Sequence, residues 1–124
     1  MSKQRVLVTD DQPNIGHLCQ RVLASDFVVQ IAYSCAQGQS LLHGLHFDLV
    51  LLDLYLPDGQ GLDVLRSIRE TEQETPVIVV TGHGTMQVVI DALHSGAQGF
   101  LIKPFEPHDL RSAVERVLER EQLR

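Results

Sequence analysis

Five short runs of Val, Ile, Leu and Phe recur along the chain, and longer stretches of mixed apolar and polar residues separate them. The runs occupy 6–8, 27–31, 49–52, 77–80 and 100–102. Largely unbroken apolar runs of this length are typical of strands that are buried on both faces of a parallel sheet. The pattern therefore predicts five buried strands.

The stretches between these runs carry apolar residues at the spacing of a helix. Ile15, Leu18 and Val22 define the first stripe. The last two stripes consist of Met86, Val89, Ile90 and Leu93, and of Leu110, Ala113, Val114, Val117 and Leu118. Regular alternation of strand and helix predicts a doubly wound α/β fold with five helices around a parallel sheet. For five strands we expect the flavodoxin-like order 2-1-3-4-5.

The composition of the chain is informative mainly because it argues against several classes of protein. Sixteen acidic and ten basic residues give a formal net charge of -6, which argues against nucleic-acid binding by this domain. The 124 residues suit one domain, and no apolar run approaches the roughly 20 residues of a membrane helix. Cys19 and Cys35 have no metal-site or disulfide spacing. We expect a single cytoplasmic domain over 1–124 without membrane contact.

Polar side chains follow four of the five predicted strands. Asp10 and Asp11 follow the first strand, Asp53 the third, Thr81 the fourth and Lys103 the fifth. Doubly wound sheets bind their ligands beyond the carboxyl ends of the strands. Because strands one and three are neighbours in the expected order, the acidic pair should lie beside Asp53.

Three carboxylates in one cleft repel one another, and loss of water adds to the cost. A hard divalent cation offsets this repulsion, and a set of oxygen ligands favours magnesium or manganese over zinc. Asp10 alone would pass as a helix-cap or turn residue. Asp53 directly follows four apolar residues, where an unpaired charge is expensive. Lys103 is either a solvated loop lysine, a salt-bridge partner of Asp53, or the group that pairs with an anionic ligand.

These residues resemble those of the receiver domains of two-component response regulators. The acidic pair, Asp53, Thr81 and Lys103 stand where that family has its acidic pair, phosphoacceptor, hydroxyl residue and lysine. The segment 53–61 resembles the loop after the family's third strand. The resemblance covers about 5–118, so 119–124 is expected to begin a linker to an effector domain absent from this chain.

A narrower resemblance comes from Thr81, Gly82, His83 and Gly84. This tetrapeptide is similar to that of receivers of the nitrogen-regulation type, which control activators of an alternative sigma factor. The expected output is therefore control of an effector that regulates transcription.

The resemblance implies that Asp53 takes a phosphoryl group from a sensor histidine kinase or a phosphotransfer protein. Lys103 and Thr81 would bind phosphoryl oxygens. The implied ligands of Mg2+ (or Mn2+) are Asp10 through water, Asp11, Asp53 and the backbone carbonyl of Tyr55. A cis peptide bond before Pro104 is implied as well.

The same resemblance implies a switch. Phosphorylation would draw Thr81 inward and admit the ring of Phe100, which would remodel the face of helix four, strand five and helix five, where a homodimer is expected to form on activation. Phe100 could instead be an ordinary half-buried aromatic on an edge strand. Tyr55 and His83 would modulate the lifetime of the phosphorylated state, although His83 could be an exposed histidine at a helix start.

Such a domain is not a conventional enzyme, because it catalyses only its own phosphorylation and dephosphorylation. One alternative is a free-standing receiver that shuttles a phosphoryl group in a phosphorelay. Another is a magnesium-dependent phosphatase of the haloacid-dehalogenase type, which needs an aspartate where this chain has Tyr55. A flavodoxin-like nucleotide carrier needs a hydroxyl- or glycine-rich loop where this chain has Asp10 and Asp11.

Overall fold

The centre of the fold is one sheet of five parallel strands, seen in a computed structural model that describes residues 3–71, 74–82 and 86–123. The strands are β1 (Gln4–Thr9), β2 (Phe27–Ala32), β3 (Leu49–Leu52), β4 (Val77–Thr81) and β5 (Gly99–Ile102). Their order is β2-β1-β3-β4-β5, so the predicted doubly wound fold and its strand order are confirmed.

Five helices cover the two faces of the sheet. They are α1 (Pro13–Leu23), α2 (Cys35–Gly44), α3 (Gly61–Thr71), α4 (Met86–His94) and α5 (Pro107–Gln122). Helices α1 and α5 share one core cluster, and α2, α3 and α4 contribute to the other. No helix among the described residues is long and apolar enough to cross a membrane. The bond between Lys103 and Pro104 is cis, as expected.

The apolar runs of the central strands are continuous because both faces of the sheet are covered. In β1, Val6 and Val8 pack against α1 and α5, whereas Leu7 between them packs on the opposite side. This follows from the alternation of side chains along a strand. All four residues of β3 and all five of β4 are buried.

Two features depart from the predicted pattern. The edge strand β5 is only partly buried, with Phe100 48% exposed, because no further strand covers its outer side. Helix α4 buries Val89 and Ala92, whereas Met86 and Leu93 of the predicted stripe are 72% and 40% exposed. Part of the apolar stripe of α4 therefore faces outward beside β5.

A small hairpin, formed by Tyr55–Leu56 and Gly59–Gln60, lies between β3 and α3, where the pattern predicted no strand. Gly61 then brings the chain back so closely that a Cβ atom there would lie 2.1 Å from the carbonyl oxygen of Asp53. Only glycine permits this approach. The hairpin thereby remains next to the end of β3.

Replacing Thr9 by valine should leave the domain equally stable or stabilise it by about 1 kcal/mol. Thr9 is fully buried against Gly38 of α2, and its hydroxyl has no hydrogen-bond partner among the described residues. Valine keeps the shape and removes the desolvated hydroxyl. Chemical denaturation measures the effect, and Val79→Thr, which buries a new hydroxyl in β4, should destabilise. A clear loss of stability in Thr9→Val would contradict the unpartnered hydroxyl.

Candidate functional site

The carboxyl ends of four strands carry the predicted polar residues to one edge of the sheet. Backbone hydrogen bonds extend the pairing of the strands to these residues. The N–H of Asp53 donates to the backbone carbonyl oxygen of Thr9, and the N–H of Lys103 donates to that of Thr81, each at 2.9 Å. The N–H of Asp10 donates to Ala32 at 2.9 Å. These residues are therefore held by the sheet itself, which gives them fixed positions.

Three carboxylates meet at this edge. Asp10, Asp11 and Asp53 each offer one oxygen, and these oxygens lie within 4.8 Å of one another. Asp10 and Asp53 are buried, whereas Asp11 is exposed. A set of carboxylate oxygens at this spacing suits a hard divalent cation such as Mg2+. The donor chemistry of the cluster therefore fits the metal that the sequence predicted.

Lys103 lies inside the cluster. Its ammonium is 2.8 Å from Oδ2 of Asp10 and 3.0 Å from Oδ2 of Asp53, and its side chain is only 12% exposed. It also donates to the side-chain oxygen of Gln12 at 2.9 Å. The hypothesis that Lys103 is a solvated loop lysine is therefore wrong. The predicted salt bridge to Asp53 is present, and Lys103 also forms a salt bridge with Asp10.

The charges of this cluster shift one another's titration. Burial alone would lower the pKa of Lys103, but its hydrogen bonds and charge interactions with Asp10 and Asp53 more than offset burial and raise the pKa. Burial raises the pKa of Asp10, and its contacts with Lys103 and the N–H of Gln12 offset only part of that rise. The site is therefore a desolvated cluster whose only buried cation is Lys103 among the described residues.

Both oxygens of Asp10 are engaged within the chain. Its Oδ1 accepts the N–H of Gln12 at 2.9 Å, and its Oδ2 is paired with Lys103. Asp53 is engaged in a similar way, since its Oδ1 accepts the N–H of Tyr55 at 3.1 Å. Exposed Asp11 is the carboxylate of the three that faces solvent.

An open cleft gives solvent access to the cluster. Its lining includes Asp11, Gln12, Tyr55, Gly82 and Lys103. The ring of Tyr55 is 44% exposed at the rim, two residues after Asp53. Gly82 lies next to Lys103, and a Cβ there would make ordinary van der Waals contact with the Lys103 side chain at 3.8 Å.

The proposed switch residues lie on β4 and β5. Thr81 is fully buried at the end of β4, and Phe100 on β5 points its ring to the surface beside Leu93 and Ala113. The structure thus shows Phe100 as a half-exposed aromatic on an edge strand. His83, the other expected lifetime modulator, lies outside the described residues.

Two residues of the site region were missed from the sequence, Gln12 and Asp58. Asp58 lies in the turn of the hairpin and accepts the N–H groups of Cys35 and Ala36 at 2.8 and 3.0 Å, which lowers its pKa. It thereby ties the hairpin that carries Tyr55 to the first turn of α2. The sequence Pro57-Asp58-Gly59 is typical of a turn, but it does not indicate that Asp58 would contact Cys35, 23 positions upstream.

Comparison with known proteins places the chain in one family. A family model described as the response regulator receiver domain matches residues 6–115. Response regulator protein PilR of Pseudomonas aeruginosa is 37% identical over 119 residues, which are 95% of this chain and 27% of PilR. The transcriptional regulatory protein AlgB of Pseudomonas putida, concerned with alginate biosynthesis, is 38% identical over 120 residues, 96% of this chain and 27% of AlgB.

A solved structure agrees with these relatives. The crystal structure of a CheY-like response regulator receiver domain protein from Methanospirillum hungatei matches with a TM-score of 0.92 and 27% identity, covering 98% of both chains. PilR and AlgB fit the narrower resemblance to receivers of the nitrogen-regulation type. The chain spans about a quarter of the length of these two curated relatives.

Proposed function

The chain belongs to the response regulator receiver domain family, and on this premise we propose that Asp53 is its phosphoacceptor. It is a signalling domain and not a conventional enzyme. The observation that carries the proposal is the position of Asp53, buried at the end of β3, within 4.8 Å of two further carboxylates and 3.0 Å from a lysine ammonium. A nucleophile, a place for a cation and a positive charge are thereby together.

Receiver domains bind Mg2+ at an acidic pocket, and we assign that pocket to the carboxylate cluster. Asp11, Asp53 and the backbone carbonyl of Tyr55 would hold the ion directly, as the resemblance to receiver domains implies, and Asp11 is the one carboxylate of the three that already faces solvent. Asp10 would then act through a water molecule. The ion, Mg2+ or Mn2+, would neutralise charge on the phosphoryl oxygens.

The residues of the chain have separate parts in the transfer. An oxygen of Asp53 forms the bond to phosphorus while the bond from phosphorus to the histidine nitrogen of the kinase or phosphotransfer protein breaks. Lys103 would exchange one of its present contacts for a phosphoryl oxygen, and Thr81 would donate a hydrogen bond from its hydroxyl to another. Tyr55 at the rim and His83 would control how readily water reaches the acyl phosphate in the later hydrolysis, which releases inorganic phosphate and restores the carboxylate of Asp53.

The output surface is the α4–β5–α5 face, which is defined by Leu93, Phe100, Ala113 and Arg116. Inward movement of Thr81 would open space for the exposed ring of Phe100 and change this face. Exposed apolar residues on α4 and β5 favour association of two phosphorylated copies there. An effector outside these 124 residues, a regulator of transcription as the description of AlgB says of that protein, would respond in the cytoplasm.

A free-standing receiver that passes its phosphoryl group on is the second candidate. The CheY-like receiver domain protein of Methanospirillum hungatei favours it, because the match covers 98% of that solved chain. Phosphorylation without any change in self-association would favour this shuttle over the dimer.

Magnesium should stabilise the folded domain. At a concentration 100 times its dissociation constant the ion adds about 2.7 kcal/mol to the free energy of unfolding, by binding the folded state alone. Thermal unfolding in MgCl2 measures this, with NaCl of equal ionic strength as the control, because salt alone also screens the carboxylates. Equal unfolding temperatures in the two salts would show that the cluster is not a metal site.

Incubation with a small phosphoryl donor such as acetyl phosphate, in the presence of Mg2+, tests the phosphoacceptor function. One phosphoryl group should appear on Asp53. Its appearance on another residue, or on none, would remove the basis for this function.

A further inference from the structure

The ammonium of Lys103 is surrounded by oxygens of the chain itself, with hydrogen bonds to Asp53 and Gln12 and an ion pair with Asp10. It has three N–H bonds, and three oxygens lie within hydrogen-bond distance: those of Asp10, Asp53 and Gln12 at 2.8, 3.0 and 2.9 Å. An ammonium has three donors and no acceptor. Any phosphoryl oxygen that Lys103 is to bind must therefore compete with these partners.

Gln12 is the partner that the acidic cluster does not explain. It is the residue that precedes α1, a position at which a polar side chain commonly caps the helix, yet its side chain caps nothing and turns to Lys103 instead. Its backbone N–H is bound by Asp10, which fixes where the side chain begins. The contact joins residues 91 positions apart and lies in the open cleft that Asp53 also lines.

The three contacts of Lys103 differ in how they respond to phosphorylation. Those with Asp10 and Asp53 are ion pairs, and Asp53 becomes part of the acyl phosphate. The contact with Gln12 carries no opposite charge and is the most exposed of the three. It stabilises the unphosphorylated arrangement of Lys103 without contributing a negative charge that attracts a cation.

We propose that Gln12 is a positioning residue that holds Lys103 in its resting place, and that it thereby slows the uptake of the phosphoryl group. This inference rests on the proposed function of Asp53. Removing the side chain should free one donor of Lys103 before phosphorylation begins, so the move to the phosphoryl oxygen loses one fewer hydrogen bond.

Gln12→Ala should therefore be phosphorylated about fivefold faster than the wild type by a small donor at saturating Mg2+, a factor in keeping with one partly exposed hydrogen bond to a charged group. Gln12→Glu, which offers Lys103 a third carboxylate, should be phosphorylated more slowly than the wild type. Gln20→Ala is the matched control, since Gln20 is exposed on α1 away from the cleft, and it should react at the wild-type rate.

A second readout separates positioning from a merely structural role. The 15N resonance of the Lys103 ammonium should shift in Gln12→Ala and stay unchanged in Gln20→Ala. Equal rates for wild type and Gln12→Ala, or a slower Gln12→Ala, would overturn the role of Gln12 while leaving Asp53 as the phosphoacceptor. If the wild type itself takes up no phosphoryl group, the proposed function fails instead.

Discussion

Lys103→Ala should lower the free energy of unfolding of the metal-free domain by about 3 kcal/mol at neutral pH. The side chains of Asp10 and Asp53 are 2% and 7% exposed, and the ammonium between them is their buried counterion. Removal of one partner from a buried ion pair leaves a desolvated charge without compensation. Urea denaturation in the presence of EDTA measures the loss.

Lys3→Ala is the matched control for this change. Lys3 is the other of the two lysines, it is exposed, and its ammonium donates to the carbonyl oxygen of Ala24. Its removal should alter stability little. If Lys103→Ala were as stable as Lys3→Ala in EDTA, the three-way cluster would not be the electrostatic unit described above.

The stability difference between wild type and Lys103→Ala should depend on pH, because the pKa values of Asp10 and Lys103 are both raised. The pKa of Asp10 is raised, so the protonated form is favoured in the folded state, and acidification through that pKa relieves the cost of the buried charge. The pKa of Lys103 is also raised above 10.5, so its stabilisation is present below 10.5 and is lost as pH rises through the folded value. The difference in free energy of unfolding between wild type and Lys103→Ala should therefore be largest near neutral pH. It should become smaller in acid and in strong alkali.

Magnesium should also reduce the stability difference between wild type and Lys103→Ala, because the cation replaces part of the positive charge that the substitution removes. The gain in unfolding temperature on adding MgCl2 is expected to be larger in Lys103→Ala than in the wild type. An equal or smaller gain would mean that Lys103 and the cation do not serve the same carboxylates.

Much of the site could be predicted from the sequence because parallel strands end at one edge. Once β1, β3, β4 and β5 are recognised as apolar runs, the residues that follow them must meet, whatever the details of packing. Asp10, Asp53, Thr81 and Lys103 are placed in this way by strand order alone. The types of these residues, carboxylates with a hydroxyl and an ammonium, then indicated a site for a divalent cation and a phosphoryl group.

Contacts made by loops and helix starts could not be predicted in this way. Gln12 reaches Lys103 across 91 positions, and Asp58 reaches the start of α2 across 23. Neither partner is fixed by periodicity, because each depends on where a loop happens to pass. Gln and Asp also occur at helix starts and turns for local reasons, so their types gave no warning.

Burial on α4 and β5 could not be predicted for a different reason. Periodicity identifies an apolar stripe but not what covers it. Met86 and Leu93 belong to the predicted apolar stripe of α4, yet both are exposed at the surface. Such exposure is expected of a face that is completed by another molecule or by a later rearrangement.

Asp53→Asn should abolish phosphorylation altogether. The amide keeps the size of the side chain and can still accept the N–H of Tyr55, but its oxygen is a far weaker nucleophile than a carboxylate and yields no acyl phosphate. Asp63→Asn is the matched control, because Asp63 is an exposed carboxylate on α3 whose partner is Arg66. It should be labelled like the wild type, which would show that loss of a negative charge elsewhere has no effect.

Intact mass spectrometry of wild type, Asp53→Asn and Asp63→Asn, each with acetyl phosphate and Mg2+, tests the central claim most directly. The predicted result is one added phosphoryl group on wild type and Asp63→Asn, removed by hydroxylamine as an acyl phosphate and absent when EDTA replaces Mg2+. Asp53→Asn should keep its unmodified mass. Full labelling of Asp53→Asn, or an unmodified wild type, would contradict the assignment of Asp53 as the phosphoacceptor.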